Sequence, residues 1–422
     1  MIKNIFQLAL KSLRFRKITI GLTILSLAIS IVLLFGVDII RTQAKENFTN
    51  TVSDTDLIVG SRSGSVQLLL YSIFHIGSAT NNVSWNSYNK IKSHPRVSWS
   101  VPISLGDSHK GFRVIGTTQD IFEHYRYGKG NILRLSSGER FSGLYDAVIG
   151  SKVANSLDYK ITDKIVISHG ITNADFAEHK DSPFTITGIL KPTGTPLDRS
   201  ILISLQGLEA LHIGWETGAQ NKSVDQNKNI DIGEESLEPE SITAFLLGLK
   251  SKHDIFSIRR GINEFNSEPL LAIMPGIALL ELWKVVDIIE RTLLVISGLV
   301  VLTSLIGIFT VIITNLNERR REMAILRSVG ASPKTIFSLM IIESEILVFL
   351  GVLFGLAFLY SLLAMINPIL FNIFGFNIEL GPPTKFQILM LVIILLGGFL
   401  AALYPAISAY RKTLQDGLTI RL

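Results

Sequence analysis

Four long apolar runs decide what this chain can fold into. They are roughly Ile18–Ile40, Thr292–Thr314, Ser338–Met365 and Phe386–Ala409. Each supplies the roughly 20 residues that a helix needs to cross a hydrocarbon core of about 30 Å. Lipid offers the backbone no hydrogen bonds, so each run reads as a transmembrane helix. The composition agrees: 47% of the 422 residues are hydrophobic and 18% charged, too apolar for an ordinary soluble protein. The first run is too long for a secretory signal and no A-x-A-like site follows it, which predicts an uncleaved span.

Basic residues set the orientation. Lys3, Lys11, Arg14, Arg16 and Lys17 precede the first span, with no acidic residue among them. Arg319, Arg320, Arg321, Arg327 and Lys334 lie between the second and third, and Arg411, Lys412 and Arg421 follow the fourth. The connection between the third and fourth carries only Lys385. The positive-inside rule therefore places both termini and the 315–337 segment in the cytoplasm. It leaves the long insert Arg41–Arg291 and the Asn367–Lys385 loop outside. Ile5–Leu13 has apolar residues at helical spacing and is expected to lie on the cytoplasmic membrane surface.

The insert reads as mixed α and β. Strand-like runs stand at Leu57–Val59, Phe112–Gly116, Ala147–Ile149, Lys164–Ser168, Phe184–Ile189 and Ile201–Ile203, separated by turn residues. Helices are expected at Asn86–Ser93, Gln206–His212 and near Lys252–Glu264. Gly60–Gly64 reads as a flexible loop, and Thr217–Glu240 as an exposed polar one. Met274–Ile289 runs at helical spacing into the second span and reads as a helical stalk.

The connection between the second and third spans carries the most functional information. Asn317–Phe337, NERRREMAILRSVGASPKTIF, is a basic, helix-favouring run. Gly330 and Pro333 are expected to end it, because glycine tolerates a left-handed cap and proline disfavours helix before it. A charged helix held between two spans is a lever that a cytoplasmic partner could push. It is equally the anchor that the positive-inside rule alone would produce. Glu343 and Glu345 stand near the start of the third span, where a carboxylate is paired, faces the bundle interior, or lies at the interface. Gly351 and Gly355 form a small-xxx-small spacing suited to close helix packing.

Catalytic constellations are missing from the sequence. It has no G-x-x-x-x-G-K-[ST] phosphate loop, no G-x-S-x-G and no H-E-x-x-H. All eight histidines fall in the external part without metal-ligand spacing, and there is no cysteine. The expectation is a chain that is not an enzyme and holds no metal or cofactor.

With this topology in hand, the chain resembles permease subunits of the MacB-like and FtsX-like ABC transporter superfamily. Three motifs carry the likeness: LALKSLRFRK (Leu8–Lys17), NERRREMAILRSVGASPKTI (Asn317–Ile336) and LYPAISAYRKTLQDGL (Leu403–Leu418). In the last, Leu414 stands where the family usually has proline. FRVIGTTQDIF (Phe112–Phe122), DAVIGSKVANSL (Asp146–Leu157) and FTITGILKPTGTPLDRSILISL (Phe184–Leu205) are similar to the family's periplasmic core domain. Asp56–Gly77 resembles a narrower branch of these permeases.

The resemblance implies four transmembrane helices with a large mixed α/β extracytoplasmic domain between the first and second. The expected parts are a cytoplasmic amphipathic helix at 1–17, spans at 18–40, 338–365 and 386–410, and a stalk with the second span at 276–314. The periplasmic core domain is expected at 41–275, with 111–204 as an inserted subdomain. A coupling helix at 315–337, an external loop at 366–385 and a cytoplasmic tail at 411–422 complete the set. Glu318, Arg319, Arg320, Arg321, Glu322, Arg327, Gly330 and Pro333 would couple to a cytoplasmic ABC ATPase. Glu343, which matches a family glutamate, and Gly351, Gly355 and Pro405 would serve helix packing or pairing.

ATP and Mg would belong to the partner ATPase. A second permease chain, identical or different, membrane lipid and an external protein complete the implied partners; nucleic acid is not among them. The implied location is the bacterial inner membrane. The function would be to turn ATP use by the partner into movement of the periplasmic domain, driving export, extraction or release of a substrate. The alternative is a signal transducer that activates an external partner without transport.

Overall fold

The structure is a computed structural model. It describes residues 6–9, 16–169, 182–212, 237–318, 320–374, 378 and 381–411. The chain divides into two compact units: Met1–Gln43 with Asp287–Pro368 and Ile378–Leu422, and Ala44–Val286 with Ile369–Asn377.

Four helices, Lys17–Asn50, Pro275–Glu318, Pro333–Phe374 and Lys385–Arg411, are long and apolar enough to cross a membrane. Their outward residues are large and apolar, for example Leu22, Ile29, Leu302, Phe358 and Leu396. A face turned to lipid gains nothing from being polar, and several serines of these helices sit on the seams instead. Ser30 meets Ser304 at 2.7 Å and Ser26 meets Ser304 at 3.1 Å, joining the first helix to the second. The Ser344 hydroxyl donates to the Gly398 carbonyl at 3.1 Å, joining the third to the fourth. Of the segment Ile5–Leu13, Phe6–Ala9 is described; it is helical, and Ala9 is buried against Leu339.

The other unit is built on a long sheet. Its strands in chain order are β1 (Leu57–Ser61), β2 (Val83–Ser84), β3 (Val97–His109), β4 (Phe112–Thr117) and β5 (Arg126–Tyr127). There follow β6 (Asn131–Ile132), β7 (Leu135–Gly138), β8 (Asp146–Ile149), β9 (Lys164–Ile165) and β10 (Ser168–His169). The last are β11 (Phe184–Leu190), β12 (Ser200–Ser204), β13 (Ser241–Ile242), β14 (Ala244–Leu249) and β15 (Leu270–Ile273). The main sheet runs β15-β1-β14-β3-β4-β12-β8-β11-β7. Its neighbours are antiparallel except for the parallel pairs β12·β4 and β11·β8.

Alternation of side chains gives the sheet two faces. Ile58, Leu246, Val148 and Leu202 point into one continuous core with the helix Ser65–Ser72. The opposite face carries two separate clusters. Leu57, Val59, Phe245 and Leu247 pack with the helices Trp85–Lys92 and Ile255–Asn263. Ala147, Ile149, Ile201 and Ile203 pack with Ser151–Leu157 and Leu205–His212. Strands from 111–204 thus make one half of the sheet and the flanking segments the other, with the shared core beneath both.

Several local expectations need correction. Gly60 and Ser61 are not loop; they close β1, Gly60 pairing with strands on both sides and Ser61 with β15. A Cβ on Gly60 would lie 2.6 Å from Leu68 and from the Tyr71 hydroxyl, so glycine is there for close packing. Lys164–Ser168 is not one strand: β9 pairs with β11, whereas β10 pairs with β3. The long central strand β3 was hidden in the sequence by Pro102 and Gly106, residues that ordinarily break strands. The residues 213–236, which hold most of the polar stretch Thr217–Glu240, lie outside the described ones.

This unit also holds the ends of two long helices. Phe48, near the end of the first, lies 4.5 Å from the Phe74 ring and 5.7 Å from that of Trp283 on the second. Ala278 and Leu279 of the second helix are buried in the shared core, and the Ser65 hydroxyl donates to Glu281. These ends of the two helices thus belong to the shared core of this unit.

His75 gives this unit an acid-sensitive point. It adopts φ +56° and its ring meets the Ser200 hydroxyl at 3.2 Å. Burial, with the Arg113 guanidinium adding, lowers its pKa from 6.5 to about 4. The fold therefore holds the neutral ring, and its contribution is complete above about pH 6.5. It is lost as pH falls from there towards 4, at a cost of at most about 3 kcal/mol. Thermal unfolding of the full chain in detergent should show a drop between pH 7 and pH 4.5. His75→Asn, which tolerates positive φ, should flatten that drop; an unchanged pH profile would exclude His75 as its source.

Candidate functional site

The connection between the second and third long helices is a short, rigidly framed helix. Glu318 is the last residue of the second helix, and Arg320, Arg321 and Glu322 open the helix Arg320–Ser328. Arg319 lies outside the described residues. Arg327 sits partly buried in the last turn.

The end of this helix and the start of the next are capped by local chemistry. The Ala331 amide donates to the Leu326 carbonyl at 2.9 Å and the Gly330 amide to that of Arg327 at 3.0 Å. This bond pair, with Gly330 at φ +104°, is a Schellman stop, and a side chain at that φ would be strained. Two residues, Ala331 and Ser332, separate Gly330 from the third helix. Pro333 is its first residue, where its missing N–H costs nothing. The Ser332 hydroxyl accepts from the Thr335 amide at 3.3 Å and meets its hydroxyl at 3.0 Å. A glycine stop followed by a serine–proline start fixes the angle of the connection.

Charge reasoning alone missed two residues here. Ile325 is 54% exposed and Val329 83% exposed, four positions apart on the same side of the segment, while Met323 is buried. Two large apolar side chains turned outward beside a basic run are suited to a partner's groove. The i, i+4 spacing was readable in the sequence, but which way it faced was not.

Of the expected packing residues, Gly351 and Gly355 face another helix. A Cβ on Gly351 would fall 2.6 Å from a Leu27 methyl, and one on Gly355 2.7 Å from the Ile31 Cβ. The third helix therefore meets the first through its two glycines. Pro405 is buried inside the fourth helix. Glu343 is 8% exposed and Ser344 beside it is fully buried. The sequence left an interfacial position open for Glu343; the structure buries it on the helix face that holds Leu339, Ile342 and Ile346. Among the described residues, no three His, Asp or Glu side chains gather where they could hold a metal ion.

Comparison with known proteins follows this division of the chain. The model of the MacB-like periplasmic core domain matches residues 20–237, more than half of the chain. The model of the FtsX-like permease C-terminal matches residues 294–414. Among solved structures, the periplasmic region of MacB from Actinobacillus actinomycetemcomitans aligns at 8% identity and a TM-score of 0.34. That alignment covers 56% of this chain and 94% of the other. The extracellular domain of the noncanonic ABC-type transporter YknZ from Gram-positive bacteria aligns at 11% identity and a TM-score of 0.30, covering 52% and 99%. No curated protein matches. The four apolar helices, the α/β domain between the first two, and the family models agree. The chain belongs to the MacB-like and FtsX-like family of ABC transporter permeases.

Proposed function

We propose that the chain is the permease subunit of an ABC assembly and works as a mechanical transmitter. A cytoplasmic ATPase binds and hydrolyses ATP with its Mg and pushes the 315–337 segment. The long helices carry the movement to the external domain, which expels, extracts or releases a substrate. Two copies, or this chain with a different permease, would pair with two ATPases. The family points to the inner membrane of a bacterium, and the basic clusters put both termini in the cytoplasm.

One observation supports this reading above the others. The second long helix is unbroken for 44 residues, from just after β15 to the edge of the coupling segment. At 1.5 Å per residue that is about 66 Å, twice the thickness of a hydrocarbon core of about 30 Å. Its first turns are buried in the domain core and its last residue adjoins a capped helix with an exposed apolar pair. A continuous helix of that length is suited to transmit displacement along its axis.

The test is affinity purification of the tagged chain in mild detergent. A stoichiometric ATP-binding protein that is lost from Ile325→Asp and Val329→Asp chains supports the reading. An intact chain that never brings an ATPase would favour the transducer that activates an external partner.

The topology has its own check, made clean by the absence of native cysteine. A cysteine placed at exposed Ser137 should react with an impermeant maleimide in intact cells, and one at Ser332 only after permeabilisation. The reverse pattern would overturn the orientation.

A further inference from the structure

One buried carboxylate in the span bundle has no place in the coupling scheme. Asp38 is 5% exposed on the first helix. Its Oδ2 accepts from the Gln387 side-chain amide of the fourth helix at 2.9 Å. Arg41, one turn further on, is engaged with Glu290 at 2.7 Å and so answers a different acid. Among the described residues, the partner of Asp38 is thus a neutral amide. Burying a carboxylate on so weak a partner costs more than an apolar pair of similar volume would.

Gln387 is itself held in a fixed pose. Its amide oxygen accepts from the Thr384 backbone at 3.1 Å, while its own backbone amide donates to the Thr384 hydroxyl at 3.2 Å. This is a reciprocal cap of the fourth helix's first turn. It occupies the oxygen of the side chain and aims the remaining N–H groups at Asp38. Beside this pair lies a cavity of about 60 Å³, lined by Ile39, Thr42, Tyr360, Pro382, Thr384 and Gln387. It has room and polar partners for water.

We propose that the Asp38–Gln387 pair is a latch closing the outer end of the span bundle. Closed, it holds the start of the fourth helix against the first. When it parts, the cavity already beside it hydrates the freed carboxylate, and the fourth helix moves. That this end of the bundle faces outward rests on the proposed topology; the latch itself does not.

The full chain in lipid nanodiscs tests this with no nucleotide or partner. Leu34, 5% exposed and one turn inward on the same side of the first helix as Asp38, becomes a reporter as Leu34→Cys. Its reaction with maleimide should be slow in the otherwise native chain. Gln387→Leu strands the carboxylate and should raise the rate by about tenfold or more. Asp38→Asn keeps a hydrogen bond and should stay within about threefold of native. The double change Asp38→Leu with Gln387→Leu, an apolar pair, should slow labelling again and shows that the singles are not merely unfolded. Equal rates in all four chains, or a double variant as reactive as Gln387→Leu, would overturn the latch. Because no ATPase enters the experiment, its failure leaves the permease reading untouched, and an ATPase-free purification leaves the latch untouched.

Discussion

Replacing Arg319, Arg320 and Arg321 together with glutamate is expected to uncouple the chain from its ATPase while leaving it folded. Arg320 and Arg321 stand about 100° apart in the first turn of their helix, so a docking groove on that side meets at least one of them. An arginine that loses a buried carboxylate partner at an interface costs about 2–5 kcal/mol, and reversal adds repulsion. Two such contacts would lower affinity by at least about a thousandfold, enough to lose the ATPase on purification. The matching lysine triple keeps the charge but not the planar fork, and should retain binding with about a tenfold loss. Reversal of a positive-inside cluster can also invert a span, so the Ser332→Cys labelling pattern must be unchanged for the result to count. Undiminished ATP-driven activity in the glutamate triple would remove this segment from the docking assignment.

The fold was legible where physics acts locally and hidden where distant segments decide. The four spans were readable because lipid demands long unbroken apolar runs, and β11 and β12 because Phe184–Leu190 and Ser200–Ser204 alternate or run apolar between clear turns. Strand β3 was not, since Pro102 and Gly106 speak against a strand that β14 and β4 complete from either side. Gly60 looked like loop for the same reason: the close approach of Leu68 and Tyr71 that requires glycine is a tertiary fact. In the 315–337 segment Gly330 announced the stop, whereas Pro333, expected to end the helix, begins the next one. The outward turn of Ile325 and Val329, and the meeting of Asp38 with Gln387 across most of the chain, depend on packing that no local pattern encodes.

Glycine substitutions in the spans should divide by sign according to what faces them. Gly298 and Gly307 in the second helix have no atom within 4 Å of an added Cβ. Alanine there should be neutral, or stabilise by up to about 1 kcal/mol by favouring the helix. Gly351 and Gly355 face the first helix. At 351 the added Cβ meets a methyl end of Leu27 at 2.6 Å but also its Cβ at 3.0 Å. The methyl can rotate away and the Cβ cannot, so Gly351→Ala should cost about 1 kcal/mol. At 355 the obstacles are the Ile31 Cβ at 2.7 Å and the Ala28 carbonyl at 3.0 Å. A branched Cβ and a backbone atom yield only if the helices separate, so Gly355→Ala should cost about 2–3 kcal/mol. Helices in lipid lack a hydrophobic force to pull them back together, so Gly351→Leu with Gly355→Leu should abolish the folded bundle. Thermal unfolding of the four alanine variants in one detergent tests the ordering. If Gly355→Ala unfolds no earlier than Gly298→Ala, the seam between the first and third helices is not a close-packed one.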